Sequence, residues 1–252
     1  MKGRLHSIET MGLVDGPGIR TVFFLQGCPL KCLYCHNPDS QCIQGAKIHT
    51  SVEEVVNQSK RFLPYYTRTG GGVTFSGGEP LMQGRFLADA LKALKAENIH
   101  TCVDTSGYGN EDYFEEILQH TDLVILDLKH SDDGEHVKLT GRKLTDLKPF
   151  LKKLHHYSGK IWIRHVMLPG YTDQEDALEK LLDLLSGFEK KVERIEILPY
   201  HKHGVDKYSQ MDLTDPLESV KAMDPKLAKE WENWLNTRFY DRMNQCALRD
   251  VV

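Results

Sequence analysis

Short runs dense in Val, Ile, Leu and Phe alternate with amphipathic segments from one end of the chain to the other, and this alternation limits the fold more than any other feature. The runs are residues 21–25, 73–76, 101–104, 123–127, 161–167 and 195–199. They are short, apolar on both faces and bounded by Gly, Pro or polar residues, as buried parallel strands are. Between them lie helical faces. The first comprises Val52, Val55, Val56, Ser59, Phe62 and Leu63, opened by the capping box Ser51-Val52-Glu53-Glu54. The next are Phe86, Leu87, Ala90, Leu91 and Leu94, then Phe114, Ile117 and Leu118, then Leu147, Phe150, Leu151 and Leu154. Leu178, Leu181, Leu182 and Leu185 follow a second expected capping box, Thr172-Asp173-Gln174-Glu175. A last helix starts at Asp224-Pro225, with Pro at its first position, and is expected to turn Trp231, Trp234 and Leu235 inward. Six βα units in series imply a parallel sheet with helices outside. Six is fewer than the eight of a closed barrel and fits an open, partial (β/α)6 barrel. A doubly wound sheet shares the pattern.

Composition adds exclusions. The 252 residues are 40% apolar and 27% charged, with a net charge of −4, so no basic footprint for nucleic acid is present. Apolar runs are too short for a membrane span, and Met1-Lys2-Gly3-Arg4 leads into no apolar stretch of a signal peptide. The chain reads as cytoplasmic, and, with no repeat or linker, as one domain over 1–252.

Polar residues gather where the strands end. Gly27-Cys28 follows the first, Gly77-Gly78-Glu79 the second, Asp104-Thr105 the third, Asp127-Leu128-Lys129 the fourth and Pro199-Tyr200-His201 the sixth, while Arg164 lies within the fifth. In parallel α/β folds the carboxyl ends of the strands converge on the face where ligands bind. Residues almost two hundred positions apart are thereby candidates for one site.

The sharpest signal is Cys28-Pro29-Leu30-Lys31-Cys32-Leu33-Tyr34-Cys35, a C-x3-C-x2-C spacing. Three thiolates on one loop can hold three irons of a cubane cluster and leave the fourth open, whereas electron carriers use four cysteines. A Cys3His zinc site is the competing reading. His36 adjoins Cys35, which makes closing a tetrahedron on one metal awkward; a distant histidine would relieve this. Cys42, Cys102 and Cys246 show no ligand spacing and read as small apolar residues.

With Tyr34 as the aromatic before the third cysteine, the loop resembles that of the radical S-adenosylmethionine (SAM) superfamily. The resemblance implies that the methionine amine and carboxylate chelate the open iron. Electron transfer then cleaves the sulfonium and yields a 5′-deoxyadenosyl radical that abstracts hydrogen. The cluster belongs toward the low end of the roughly −700 to +450 mV range for such centres. Ser76-Gly77-Gly78-Glu79-Pro80 resembles the GGE segment, whose backbone and acidic side chain meet the methionine ammonium. By the same resemblance Tyr34, His36, Asp104, Thr105, Asp127, Leu128, Lys129 and His201 surround the cofactor, His201 toward the adenosine. Asp104, Thr105 and Asp127 are implied beside a monovalent cation at the methionine carboxylate.

Further motifs narrow the resemblance to the glycyl-radical-enzyme activases. They are His6-Ser7 with Glu9, Val14-Asp15-Gly16-Pro17-Gly18-Ile19-Arg20, Cys35-His36-Asn37-Pro38-Asp39, Leu126-Asp127-Leu128-Lys129, Trp162-Ile163-Arg164-His165-Val166 with Pro169-Gly170, and Leu198-Pro199-Tyr200-His201. They run in order over residues 6–201; beyond His201 the likeness is loose. Only 35 residues, with the lone Cys42, separate Cys35 from Gly71, which leaves no room for the added cluster domain of many activases. The implied activity is anaerobic hydrogen abstraction from a backbone glycine of a partner protein, here pyruvate formate-lyase of glucose metabolism. Flavodoxin or a similar low-potential donor is the implied reductant, and a monomer the implied state. Asp15-Gly16-Pro17-Gly18 is by itself an ordinary turn. At the barrel mouth Asp15, with Arg164, is a candidate to position the partner's loop. The alternatives are an activase of another glycyl radical enzyme and a zinc-binding interaction module.

Overall fold

Apolar strands need cover, and the runs obtain it on both faces over most of the sheet, while the last, 195–199, is exposed at Leu198. The computed structural model describes residues 1–249, with side chains as far as residue 244. It contains an eight-stranded sheet of order β3-β1-β2-β4-β5-β6-β7-β8. The strands are β1 (Lys2–Gly12), β2 (Arg20–Leu25), β3 (Ile48–Ser51), β4 (Gly72–Gly77), β5 (Thr101–Thr105), β6 (Leu123–Asp127), β7 (Lys160–Met167) and β8 (Val192–Pro199). The six expected strands are β2 and β4 to β8, each paired parallel to the next. The sheet is not closed, in keeping with a partial barrel.

Two strands were not legible. β1 and β3 extend the sheet by antiparallel pairing. β1 is KGRLHSIETMG, and its register against β2 slips between Leu5 and Ser7 and again between Glu9 and Gly12. Such bulges break the alternation by which a half-buried strand is recognised.

The α-helices among the described residues are α1 (Val52–Lys60), α2 (Leu63–Thr69), α3 (Gly84–Ala96), α4 (Phe114–Gln119), α5 (Asp133–Thr140), α6 (Lys148–Leu154), α7 (Glu175–Leu184), α8 (Val205–Gln210) and α9 (Pro225–Arg249). The box opening α1 is present: Ser51 Oγ accepts from Glu54 N at 3.2 Å, and Glu54 Oε2 from Ser51 N at 2.6 Å. The first helical face is split, because Pro64 lacks an N–H and stands in the first turn of a new helix. The box expected at Thr172 is absent. Thr172 Oγ1 instead donates to Val166 O at 2.7 Å and accepts from Leu168 N at 2.8 Å, so it pins the turn after β7, and Gln174 caps α7 without a side-chain bond. At the start of α9, Asp224 Oδ1 accepts from Lys226 N at 2.8 Å. Leu235 turns inward as expected, with Ala228 and Phe239; Trp231 and Trp234 are only half-buried.

α9 also covers the free edge of β8. Glu232 Oε2 accepts from Ile197 N and Asn236 Nδ2 donates to Ile195 O, each at 3.0 Å. These are backbone groups that a further strand would otherwise pair. No helix among the described residues is long and apolar enough to cross a membrane.

Candidate active site

The parallel strands end at one cavity of about 390 Å³. It is lined by Cys28, Cys32 and Cys35, by Gly77 and Gly78, and by Asp104, Thr105, Asp127, Lys129, Arg164 and His201, with Tyr34 and His36. Residues drawn from every βα unit therefore share one wall.

The cysteine loop has no regular structure of its own and is clipped from both sides. Gly27 N and Cys28 N donate to Ser40 O and Gln41 O at 2.7 and 3.0 Å. Lys31 N and Leu33 N donate to Thr140 O and Leu139 O, the carboxyl end of α5, at 2.7 and 2.9 Å. A helix's last carbonyls lack intrahelical partners, so α5 is suited to hold such a loop. Burial raises the Cys28 and Cys32 thiols to about 12. They are not free reactive thiols; their ionisation awaits a bound cation. All three thiols line the cavity, with the C-x3-C-x2-C spacing that suits a cubane cluster.

The charges opposite are paired but not exhausted. Lys129 Nζ donates to Asp127 Oδ2 and lies 5.5 Å from the Tyr34 ring centroid. Burial works against the ammonium, yet the Asp127 carboxylate holds its pKa well above the usual lysine value. Asp127 Oδ1 is buried with no hydrogen-bond partner among the described residues. A buried acceptor left open on a cavity wall fits a bound cationic group such as the methionine ammonium. Asp104 Oδ2 accepts from Ser76 Oγ at 2.9 Å and lies 3.5 Å from Arg164 Nη1. Burial raises the Asp104 carboxyl, against the pull of Arg164. His36 and His201 stack with ring centroids 4.1 Å apart, and burial lowers both pKa values, leaving flat neutral rings.

Two residues expected at the cofactor, Glu79 and Leu128, are not among those that line the cavity. Glu79 is fully buried behind the wall. Its carboxylate accepts from Thr105 Oγ1, Ser106 Oγ, Ser106 N and Leu81 N at 2.5 to 3.1 Å, so the side chain braces the loop after β5 rather than meeting a ligand. Leu128 is 1% exposed and takes part through its backbone, N to Arg164 O and O to His165 Nδ1. Gly77 is needed for its backbone: at φ +117°, a Cβ would stand 2.3 Å from Leu25 N.

At the mouth, buried Arg164 reaches three ways. It donates to Glu196 Oε2 at 2.9 Å, faces Asp104, and donates to the carbonyl of Val14. Asp15 follows Val14; burial and then Asp104 push its carboxyl up to about 6, against Arg164. Ser76 and Asn37 enter the sequence reading only as members of their motifs, with no role of their own, and Glu196 escapes it. Ser76 directly precedes the Gly77-Gly78 pair and Asn37 directly follows Cys35-His36, which are the signals available.

Fold and cavity together define a radical SAM enzyme, and the profile of the Radical SAM superfamily matches residues 22–185. The pyruvate formate-lyase-activating enzyme of Clostridium pasteurianum is 50% identical over 233 residues, which cover 92% of this chain and 97% of that one. That of Staphylococcus epidermidis is 45% identical over 242 residues, 94% and 96% of the two chains. The chain belongs to the family of pyruvate formate-lyase-activating enzymes, and its cofactors are a 4Fe-4S cluster and SAM. A solved domain of the pyruvate-formate lyase-activating enzyme from Bacteroides vulgatus shares the fold, with TM-score 0.52 and 24% identity over 68% of this chain and 95% of that domain.

Proposed function

We propose that this chain activates pyruvate formate-lyase under anaerobic conditions by abstracting hydrogen from the α-carbon of one backbone glycine. It does so as one domain and a monomer in the cytoplasm, with flavodoxin or a similar low-potential donor as reductant. Cys28, Cys32 and Cys35 would hold the cluster, which with SAM supplies the electron for sulfonium cleavage and the hydrogen-abstracting radical. With SAM bound, the open Asp127 Oδ1 and the Gly77–Gly78 backbone would receive the methionine ammonium, Lys129 would pair with the carboxylate, and the stacked His36 and His201 would serve the adenosine portion. Asp104, Thr105 and Asp127 are the donors for a monovalent cation. Asp15 and Arg164 orient the partner's loop.

One observation carries the choice of a protein substrate. Leu13 and Val14 are 71% and 74% exposed, and the carbonyl of Val14 is held by the cavity's own Arg164. Exposed aliphatic side chains at a polar mouth suit a macromolecule that covers them. Anaerobic incubation with pyruvate formate-lyase and SAM should give a glycyl-radical electron paramagnetic resonance signal on the partner, matched by 5′-deoxyadenosine. A signal only on a different glycyl radical enzyme would reassign the partner; turnover on small molecules alone would refute a protein substrate.

Lys129→Ala should keep its iron and lose SAM affinity. A hydrogen bond to a charged group is worth roughly 1.5–3 kcal/mol, or about ten- to a hundredfold in affinity. Calorimetric titration under argon measures it, and unchanged affinity would place Lys129 outside the cofactor site.

A further inference from the structure

Arg20 is 0% exposed and ion-pairs with no carboxylate among the described residues. A guanidinium taken out of water without an opposite charge is costly, and an aliphatic side chain would fill the same volume at the head of β2 without that cost. What distinguishes the guanidinium is the set of bonds it makes. Nε donates to Thr74 Oγ1 at 2.6 Å, Nη1 to Pro17 O at 3.1 Å, and Nη2 to Val73 O at 2.7 Å. Thr74 passes the bond on, its hydroxyl donating to Asp15 O at 2.7 Å. Gly16, at φ +124°, lies against the arginine stem, where an added Cβ would stand 3.0 Å from Arg20 Cδ.

We infer that Arg20 is a positioning residue that fixes the 15–18 turn, and through it the Asp15 carboxylate, for the partner's glycine loop. This rests on the role proposed above for Asp15. Residues 13–19 have no helix or strand to hold them. Ile19 is anchored by its own backbone, N to Thr69 Oγ1 and O to Gly72 N. Ahead of it, over residues 14–18, the tied carbonyls are three: Val14 O on Arg164, Asp15 O on Thr74, and Pro17 O on Arg20. Two of the three run through Arg20, one directly and one by way of Thr74. A planar fork can serve Thr74, Pro17 and Val73 at once; a lysine ammonium at the same place cannot match that geometry. The turn is thus assembled before the partner arrives, which spares the ordering cost of a loop that would otherwise form on contact.

The test compares Arg20→Met, Thr74→Val and Thr74→Ser with Asp15→Asn in the iron-loaded protein. In Arg20→Met and Thr74→Val, amide hydrogen exchange at Ile19, whose N–H donates to Thr69 Oγ1 at the end of this turn, should accelerate about ten- to a hundredfold as the turn loosens, the range expected for a lost hydrogen bond to a charged group. Glycyl-radical formation on the partner should fall, with KM for the partner raised, while iron content and partner-free SAM cleavage stay at wild-type levels. Thr74→Ser, which keeps the hydroxyl, should restore both readouts. The double variant Asp15→Asn with Arg20→Met should be no worse than the more impaired single variant, because both act through one carboxylate. Additive losses would overturn the inference, as would unchanged exchange in both Arg20→Met and Thr74→Val even if Asp15→Asn abolishes radical formation. Accelerated exchange with Asp15→Asn fully active would instead overturn the role proposed for Asp15 and leave the tether standing. If Arg20→Met loses its iron, Thr74→Val decides, since it keeps both the core volume and the arginine.

Discussion

Replacing Cys28, Cys32 or Cys35 with alanine should abolish the brown colour and the iron of anaerobically purified protein, while Cys42→Ala and Cys102→Ala keep both. Wild-type protein should hold about four irons and four sulfides per chain, as a cubane does. The three loop thiols all line the cavity, and each is expected to hold one iron. Cys42 is exposed and donates to Gln44 Oε1 at 3.3 Å. Cys102 is 0% exposed within β5, packed with Leu123 and Ile125, and its change leaves the cavity wall intact. Cys246, expected to behave like these two, lies outside the residues whose side chains are described. Iron quantification and visible absorption decide the matter, and one zinc per colourless chain would end the cluster assignment.

The second large effect belongs to Asp15→Asn, which should cut glycyl-radical formation on the partner by about one to two orders of magnitude while leaving iron and SAM affinity in place. A carboxylate accepts strong hydrogen bonds from backbone N–H groups, and a glycine loop offers little else to grasp. The amide keeps the shape and loses the charge. A pH dependence should accompany it. With its carboxyl raised to about 6 in the folded chain, against an ordinary value of 3.8, Asp15 is protonated at pH 5 and ionised at pH 7. Radical formation should therefore rise through pH 6 in the wild type and lose that rise in Asp15→Asn. Stability has the opposite sign. Between the two pKa values the folded state holds the extra proton, so the contribution of Asp15 is full below about 4 and is lost as pH rises through about 6. Timed electron paramagnetic resonance beside chromatography of 5′-deoxyadenosine follows the first trend. If radical yield and cofactor cleavage fall together, Asp15 serves the cofactor or the fold instead.

The parallel strands were legible because most of their residues are buried and each carries a short run dense in apolar side chains; even β8, with Glu193 and Arg194 exposed, keeps Val192, Ile195 and Ile197 buried. β1 was not, because its bulges spoil the alternation and Ile8, the residue that would announce it, is 38% exposed. Within the cavity the sequence marked strand ends, and the residues that line it stand largely at those ends. Side-chain direction was another matter. Glu79 lies next to Gly78, yet it points into the protein because Thr105 and Ser106, on the following unit, offer it donors there. Thr172 looked like a helix cap and spends its hydroxyl on the preceding turn. The bond from Arg164 to the Val14 carbonyl spans 150 residues and ends on a backbone atom, for which a sequence has no letter.

The side-chain seal on β8 has a consequence for where this chain can tolerate being cut. Residues 225–244 add modestly to the core, through Ala228, Leu235 and Phe239, but Glu232 and Asn236 deny strangers access to an adhesive rim. A proteolytic nick near residue 224 would leave the catalytic cavity standing while turning the last strand into a template for another chain's strand. The damage would first be seen as polymerisation, with chemistry still running inside the aggregate.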